Sequence, residues 1–175
     1  AAGAVKLGVS EKDIDLDILL QLKKLFEACP DNIGVYYTRT ADTNPTLDQR
    51  VQLANKADAD IFISIHNNSS ATGNFTQTSG TQVMYSESDD SKLSSKKLAK
   101  ICLNAVSKSF DSYNRGLLEG DSIYIIRTSK VPVALIEVGF MTNYDELDKL
   151  KSPKYQKKAA QGIYNAIMEA FEEGY

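Results

Sequence analysis

Two short apolar runs constrain the fold of this chain more than any other feature, because each ends in a side chain suited to metal or acid–base chemistry. The run Ile61–Ile65 ends at His66, the only histidine of the chain, and the run Val133–Ile136 ends at Glu137. Continuous β-branched and aliphatic runs are typical of buried parallel strands. In open α/β sheets, ligands bind beyond the carboxyl ends of such strands. The sequence therefore predicts a metal-assisted active site where this imidazole and this carboxylate meet.

Apolar periodicity predicts that strands and helices alternate along the rest of the chain. Strands are predicted at 35–38, 61–65, 81–85, 122–127 and 133–136, and helices are predicted to begin after Ser10, Thr46, Ser91, Asn143 and Pro153. Such alternation favours an α/β layered fold. The segment 67–80 is rich in Asn, Ser, Thr and Gly and has no apolar period. We expect it to form a long loop, and long loops in compact domains are often functional.

Length and charge exclude several classes of protein. The 175 residues are sufficient for one domain with a sizeable core. The net charge of −3 gives no reason to expect nucleic-acid binding, which usually needs a basic face, so we expect no nucleic-acid partner. The apolar stretches are too short to span a membrane, and the first residues do not resemble a secretion signal. Cys29 and Cys102 have no second cysteine at metal-ligand spacing and are expected to be buried free thiols.

His66 and Glu137 are the strongest candidate site residues. Neutral imidazole is a common zinc ligand, although a single histidine is also compatible with an ordinary hydrogen-bonded position. Glu137 interrupts an apolar stretch that continues to Phe140. Burial of this kind raises the pKa of a carboxyl group toward the value that a general base needs. The alternative is that Glu137 emerges into solvent or pairs with Arg50 or Arg127.

Three further charged residues carry weaker signals. Glu11 lies in the first turn of a predicted helix, where an acid complements the helix dipole without any other role. Arg50 lies in a predicted helix and is expected to be a structural ion-pair partner. Arg115 follows a turn and either meets an acidic group of a substrate or faces solvent; the pattern does not separate these two alternatives.

Several segments taken together resemble the zinc-dependent N-acetylmuramoyl-L-alanine amidases of type 3. The matching segments are Gly3-Ala4, 10–16, Thr38-Arg39, 47–51, Ala54-Asn55, 59–68, 80–83, 114–116 and 133–143. They occur in the order that the family shows and cover nearly the whole chain. The segments around His66 and Glu137 are the specific ones.

The resemblance implies a fold and a zinc site. The fold is a twisted, mostly parallel sheet of about five to six strands with helices on both faces. Glu11 and His66 match two protein ligands of the zinc ion, and Glu137 matches the catalytic glutamate. The family's first histidine ligand follows its first strand, and the chain has no counterpart of either. We therefore expect residues 1–175 to form a single amidase catalytic domain without the first strand and with weakened zinc binding.

The resemblance also implies an activity and a cellular setting. The expected reaction is hydrolysis of the amide bond between N-acetylmuramic acid and L-alanine, with peptidoglycan as the partner and Asn68 and Arg115 contacting it. A monomeric bacterial protein in the extracellular space or the cell wall is expected. Two alternatives stay open: a non-catalytic binder of cell-wall glycopeptides, and a zinc peptidase that cleaves the stem peptides.

Overall fold

The computed structural model describes residues 3–89 and 91–175, and these form an α/β fold with six strands and six helices. The strands are β1 (Val5–Lys6), β2 (Val9–Ser10), β3 (Phe62–Asn68), β4 (Thr81–Tyr85), β5 (Asn114–Glu119) and β6 (Val133–Phe140). The helices are α1 (Glu11–Glu27), α2 (Leu47–Lys56), α3 (Ser95–Phe110), α4 (Tyr124–Thr128), α5 (Tyr144–Leu150) and α6 (Pro153–Glu172). The α/β class predicted from the sequence is confirmed.

The main sheet is mixed and has four strands, in the order β3-β6-β4-β5. Strand β3 pairs with β6 and β4 with β5 in parallel, whereas β4 and β6 pair antiparallel. For the described part of the chain, the predicted five to six strands are therefore too many by at least one, and the sheet has two parallel pairs and one antiparallel pair. The remaining two strands, β1 and β2, form a separate antiparallel hairpin.

Helices cover both faces of the sheet, as predicted. The larger apolar cluster joins α1, α3 and α6 to one face of β6, through Ala134, Ile136 and Val138. A smaller cluster joins α2 and α4 to the other face, through Val133 and Leu135. Because both faces of β6 are buried, its residues form the continuous apolar run that identified it as a strand.

The segment 35–38, predicted to be a strand, forms no strand. A groove with a cavity volume of about 350 Å³ separates it from β3, and residues 33–39 and 57–65 line that groove. No strand of the described part of the chain pairs with the outer edge of β3. Since a strand requires a hydrogen-bonded neighbour, the local preference of this segment does not suffice.

Residues 122–127 were also predicted to form a strand, and most of them form helix α4 instead. Ile125 and Ile126 are buried in the smaller cluster. A short apolar run is compatible with a buried strand or a buried helical turn, and only packing decides between them. Strand β5 was not predicted, because most of its residues are exposed or half-buried and show no alternation.

Helix starts were predicted better than strands. Thr46 caps α2 with a complete capping box, and the Asn143 side chain caps α5. Helix α3 begins at Ser95, capped by Ser94, and so starts later than the predicted position after Ser91. These caps are local, since a side chain bonds a backbone N–H three residues ahead, and for that reason they can be read from sequence.

The cysteines agree in part with the prediction. Both are free; Cys102 is fully buried, whereas Cys29 is half-buried just beyond α1. The hydroxyl of Tyr164 lies 3.2 Å from the Cys29 sulfur. None of the helices formed by the described residues is long and apolar enough to cross a membrane.

Helices α3 and α6 pack against each other at Gly162, and we expect Gly162→Val to destabilise the fold. A Cβ atom added at Gly162 would lie 2.9 Å from the Val106 Cα and 3.0 Å from the Ser109 Cβ. Overpacking of this kind costs about 1–3 kcal/mol of unfolding free energy, to be measured by urea denaturation. Gly34→Ala is the matched control, because its added Cβ meets no atom within 4 Å. An unchanged midpoint for Gly162→Val would show that the two helices have room to separate.

Candidate active site

Glu11 and His66, which are far apart in sequence, meet at the carboxyl end of β3. The His66 Nδ1 lies 3.2 Å from the Glu11 Oε1. Two ligands of one tetrahedral zinc ion, with bonds of about 2.0–2.1 Å, lie about 3.3 Å apart. The other ring nitrogen of His66, Nε2, lies 3.0 Å from the Ser64 hydroxyl oxygen. The separation of the two groups therefore suits a shared metal ion.

Backbone N–H groups just before β1 and within β3 hold the Glu11 carboxylate in place. The backbone N–H of Ala4 donates to Oε2 over 2.9 Å, and the backbone N–H of Asn67 donates to Oε1 over 3.4 Å. Gly3 has a φ of +67°, and a Cβ atom added there would overlap Oε2. Only glycine leaves space for the carboxylate at this point, so the matched Gly3-Ala4 segment has a direct structural role.

Opposing influences set the pKa values of this pair. Burial would raise the pKa of Glu11, but hydrogen bonds from His66 and from the Ala4 N–H lower it overall. Burial would lower the pKa of His66, but its hydrogen bond to Glu11 and the charges of Asp15 and Glu137 raise it overall. Both shifts share one cause, the hydrogen bond between Glu11 and His66, which favours the ionised carboxylate and the protonated imidazole together.

Asp15 is a third member of the cluster that sequence reasoning did not single out. The potential ligand atoms of Glu11, Asp15 and His66 all lie within 4.8 Å of one another. The Asn67 Nδ2 donates to the Asp15 Oδ1 over 2.8 Å. Burial raises the pKa of Asp15 to about 8, opposed by the charge of His66 and aided by that of Glu11. The available signal was the spacing of Glu11 and Asp15, which places them one helical turn apart on one face of α1.

Glu137 lies beside His66 in the sheet. The two residues are register partners in the parallel pair β3–β6, and Gln82 is the partner of Glu137 on β4. Burial raises the pKa of Glu137 to about 7, with the charge of His66 opposing the shift and that of Glu11 adding to it. The Glu137 Oε2 is buried and has no hydrogen-bond partner among the described residues. Burying a carboxylate oxygen without a hydrogen-bond partner costs free energy. This cost indicates that the Glu137 carboxylate gains a partner when the protein functions.

The donor set fits a divalent cation. One imidazole and two carboxylates form a mixed nitrogen and oxygen set of the kind that zinc accepts. The unpaired oxygen of Glu137 leaves an acid–base group beside that set. Glu11, His66 and Glu137, singled out in the sequence, thus lie at one rim of the sheet, and Asp15 adds one donor to the two that the resemblance implied.

The two predicted substrate residues make their contacts outside this cluster, although Asn68 follows His66 on the same strand. The Asn68 side chain accepts a hydrogen bond from the Ser69 N–H. Arg115 is exposed on β5, where it donates to the Ser79 carbonyl and its guanidinium lies 5.2 Å from the centre of the Phe140 ring. These contacts leave a role in substrate binding as a prediction for both residues.

The expected ion pair of Arg50 is absent. Among residues 3–89 and 91–175, Arg50 forms no ion pair with a carboxylate, and its Nε donates to the Pro45 carbonyl over 3.1 Å. Arg127 donates to the carbonyls of Asp121 and Ser122, so neither arginine is an ion-pair partner of Glu137. The prediction of a structural ion pair at Arg50 is wrong, because its side chain lines a cleft and bonds a backbone carbonyl, and the charge of Asp15 acts on it without a direct ion pair.

Comparisons with known proteins agree with the resemblance. The family model for N-acetylmuramoyl-L-alanine amidase matches residues 1–169. The uncharacterized protein YqiI of Bacillus subtilis is 36% identical over 98% of this chain and 80% of its own length. The germination-specific N-acetylmuramoyl-L-alanine amidase of the same organism is 30% identical over 98% of this chain and 75% of its own length. The crystal structure of N-acetylmuramoyl-L-alanine amidase from Clostridium difficile 630 has a TM-score of 0.88 at 30% identity, covering 97% of this chain and 88% of that one.

Proposed function

Because this chain belongs to the N-acetylmuramoyl-L-alanine amidase family of hydrolases, we propose that it uses a zinc ion to cleave the amide bond between N-acetylmuramic acid and L-alanine in peptidoglycan. The observation that carries this proposal is the convergence of Glu11, His66 and Glu137 at one rim of the sheet. Two of these groups suit metal binding, and the third is a buried carboxylate with one unpaired oxygen.

In this proposal Glu11 and His66 hold the metal ion, and Asp15 offers the third donor among the described residues. A bound zinc ion supplies a Lewis acid and lowers the pKa of water to about 7. The backbone N–H of Ala4, just before β1, orients the Glu11 carboxylate, and the Ser64 hydroxyl orients the His66 ring. Such outer contacts fix the direction of the ligand atoms and support metal affinity.

Glu137 acts as the general base and then as the general acid. Its carboxylate accepts a proton from the attacking water and afterwards donates it to the departing amine of L-alanine. A pKa near 7 suits both transfers, because the group can gain and lose a proton at neutral pH. The neighbouring strands β3 and β4 fix the position of Glu137 through its register partners His66 and Gln82.

The groove beside β3 supports a further part of the proposal. The outer edge of β3 is open along an apolar strand, and residues 33–39 lie across the groove. Exposed apolar edges are normally covered in native proteins. We propose that an additional strand fills this groove in the complete catalytic domain and delivers another ligand to the rim. We further propose that the protein acts at the bacterial cell wall, because its proposed substrate, peptidoglycan, lies there.

Digestion of purified peptidoglycan tests the proposed reaction through its end groups. We expect one new lactyl carboxyl group and one new L-alanine amine for each bond cleaved, detected by mass spectrometry of the soluble products. New ends inside the stem peptide would instead identify a peptidase. Binding to peptidoglycan without any new ends, in the presence of Zn²⁺, would identify a non-catalytic binder. The Glu137→Gln variant is the control for contaminating hydrolases.

A further inference from the structure

A cleft with a cavity volume of about 710 Å³ adjoins the proposed metal site. Glu11 and His66 form part of its lining, and the opposite part is formed by cationic side chains and by the turn at residues 42–47. The cationic side chains are Lys12, Arg39 and Arg50. The cleft is therefore negative where the metal ligands lie and positive beside them, which suits a substrate with a neutral reacting bond and an anionic neighbouring group.

The backbone holds both arginine side chains of this cleft in place. Arg39 donates a hydrogen bond to the carbonyl of Lys12, at the start of α1. Arg50 donates through Nε to the carbonyl of Pro45. A guanidinium carries five N–H donors in a planar fork, and each of these bonds uses one of them. The two guanidinium groups are thus fixed in orientation before any ligand binds.

The two arginines lack the counter-ions that buried or half-buried cations normally have. Within the described ranges, neither forms an ion pair, whereas the nearby Lys12 pairs with Asp42 at 2.7 Å. Burial lowers the pKa of Arg50, the charge of Arg39 lowers it further, and Asp15 opposes both effects. Two neighbouring guanidinium groups without a shared anion repel each other, and a bound anion would relieve that repulsion.

We propose that Arg39 and Arg50 form a carboxylate subsite that binds an acidic group of the stem peptide. This inference rests on the proposed function and deepens it, because it names the part of the substrate that the cleft recognises. A planar guanidinium matches a carboxylate through two parallel hydrogen bonds. None of the three carboxylates that line the same cleft forms an ion pair with the arginines: Asp42 pairs with Lys12, Glu11 with His66, and Asp15 accepts a hydrogen bond from Asn67. Burial raises the pKa of Asp15 to about 8, which weakens its competition with an added anion.

The test compares two ligands that differ only in the acidic group. Muramoyl dipeptide whose second residue carries a free carboxylate, and the same compound with that carboxylate amidated, are titrated calorimetrically into the Glu137→Gln protein with one equivalent of Zn²⁺. We expect the free acid to bind about tenfold to a hundredfold more tightly. Arg39→Gln and Arg50→Gln are each expected to remove this preference. Equal affinities of the unsubstituted subsite for acid and amide would overturn the proposal.

Matched variants separate the subsite from general effects. Arg127→Gln is the control, because Arg127 is also bound to backbone carbonyls but lies outside the cleft. If Arg39→Gln fails to fold, Arg39→Lys keeps the charge and is expected to retain part of the preference. In the active chain, Arg50→Gln should raise KM for the acidic substrate and leave kcat nearly unchanged. Hydrolysis of acid and amide with equal KM would refute the subsite alone, whereas acid-selective binding without hydrolysis would refute the proposed function alone.

Discussion

Glu137→Gln is expected to lower the rate of peptidoglycan hydrolysis by about 10²–10⁴-fold, the usual contribution of a positioned general base. Glutamine fills nearly the same volume but accepts no proton from water. Residue 137 keeps its register partners His66 and Gln82 on the neighbouring strands, so we expect the variant to fold as the parent does. Release of soluble muropeptides measures the rate, and thermal unfolding checks the fold. We expect the variant to be at least as stable as the parent, because an amide is cheaper to bury than an unpaired carboxylate.

The metal content distinguishes the possible roles of Glu137. If Glu137 is a general base, it does not coordinate the metal ion, so the Glu137→Gln variant should bind Zn²⁺ with the affinity of the parent chain. Glu172→Gln, an exposed change near the end of α6, is the matched control and should leave both activity and metal binding unaltered. Full activity of Glu137→Gln would remove the assigned base, and loss of metal with loss of activity would place Glu137 among the ligands instead.

The sequence predicted His66 and Glu137 because burial of a strand on both faces produces a continuous apolar run before each of them, although β3 continues to Asn68 and β6 to Phe140. The runs before His66 and Glu137 are almost entirely apolar, and the polar residue that follows each run lies in the carboxyl half of its strand, where ligands bind in α/β sheets. Helix caps such as Thr46 and Asn143 were readable for a similar reason, since the bond is made within four residues. These parts of the fold depend on local chemistry.

The missed parts depend on neighbours that a single sequence does not reveal. Asp15 resembles an ordinary acid on a helix surface, and only the packing of α1 against β3 shows that it faces His66. The segment 35–38 has the composition of a strand but lies across a groove from β3. Arg50 was expected to pair with an acid, yet its side chain bonds the Pro45 carbonyl, and the charges of Arg39 and Asp15 act on it without a direct ion pair. In each case tertiary contacts decided between outcomes that the local pattern allowed.

His66→Ala is expected to eliminate zinc binding at this site and the hydrolytic activity with it. His66 is the only histidine in the chain, so no other imidazole of these 175 residues can replace it. Changing an outer contact of a zinc ligand typically costs about 10–100-fold in metal affinity, and removing the ligand itself should cost more than about 100-fold. Calorimetric titration with Zn²⁺ gives the affinity, and the visible absorption of a Co²⁺-loaded sample reports the ligand set independently of activity.

The companion variant Asp15→Asn tests whether the third carboxylate takes part in metal binding. It keeps the size of the side chain and an oxygen that can accept from Asn67, but it removes the charge, so we expect about tenfold weaker Zn²⁺ binding and an altered Co²⁺ spectrum. Asp13→Asn is the matched control, because Asp13 lies exposed in the same helical turn as Glu11. An unchanged affinity for Asp15→Asn would limit its role to orienting Asn67.

Retained zinc binding in the His66→Ala variant would contradict the proposed metal site itself, since the only imidazole of the chain would then be unnecessary for binding.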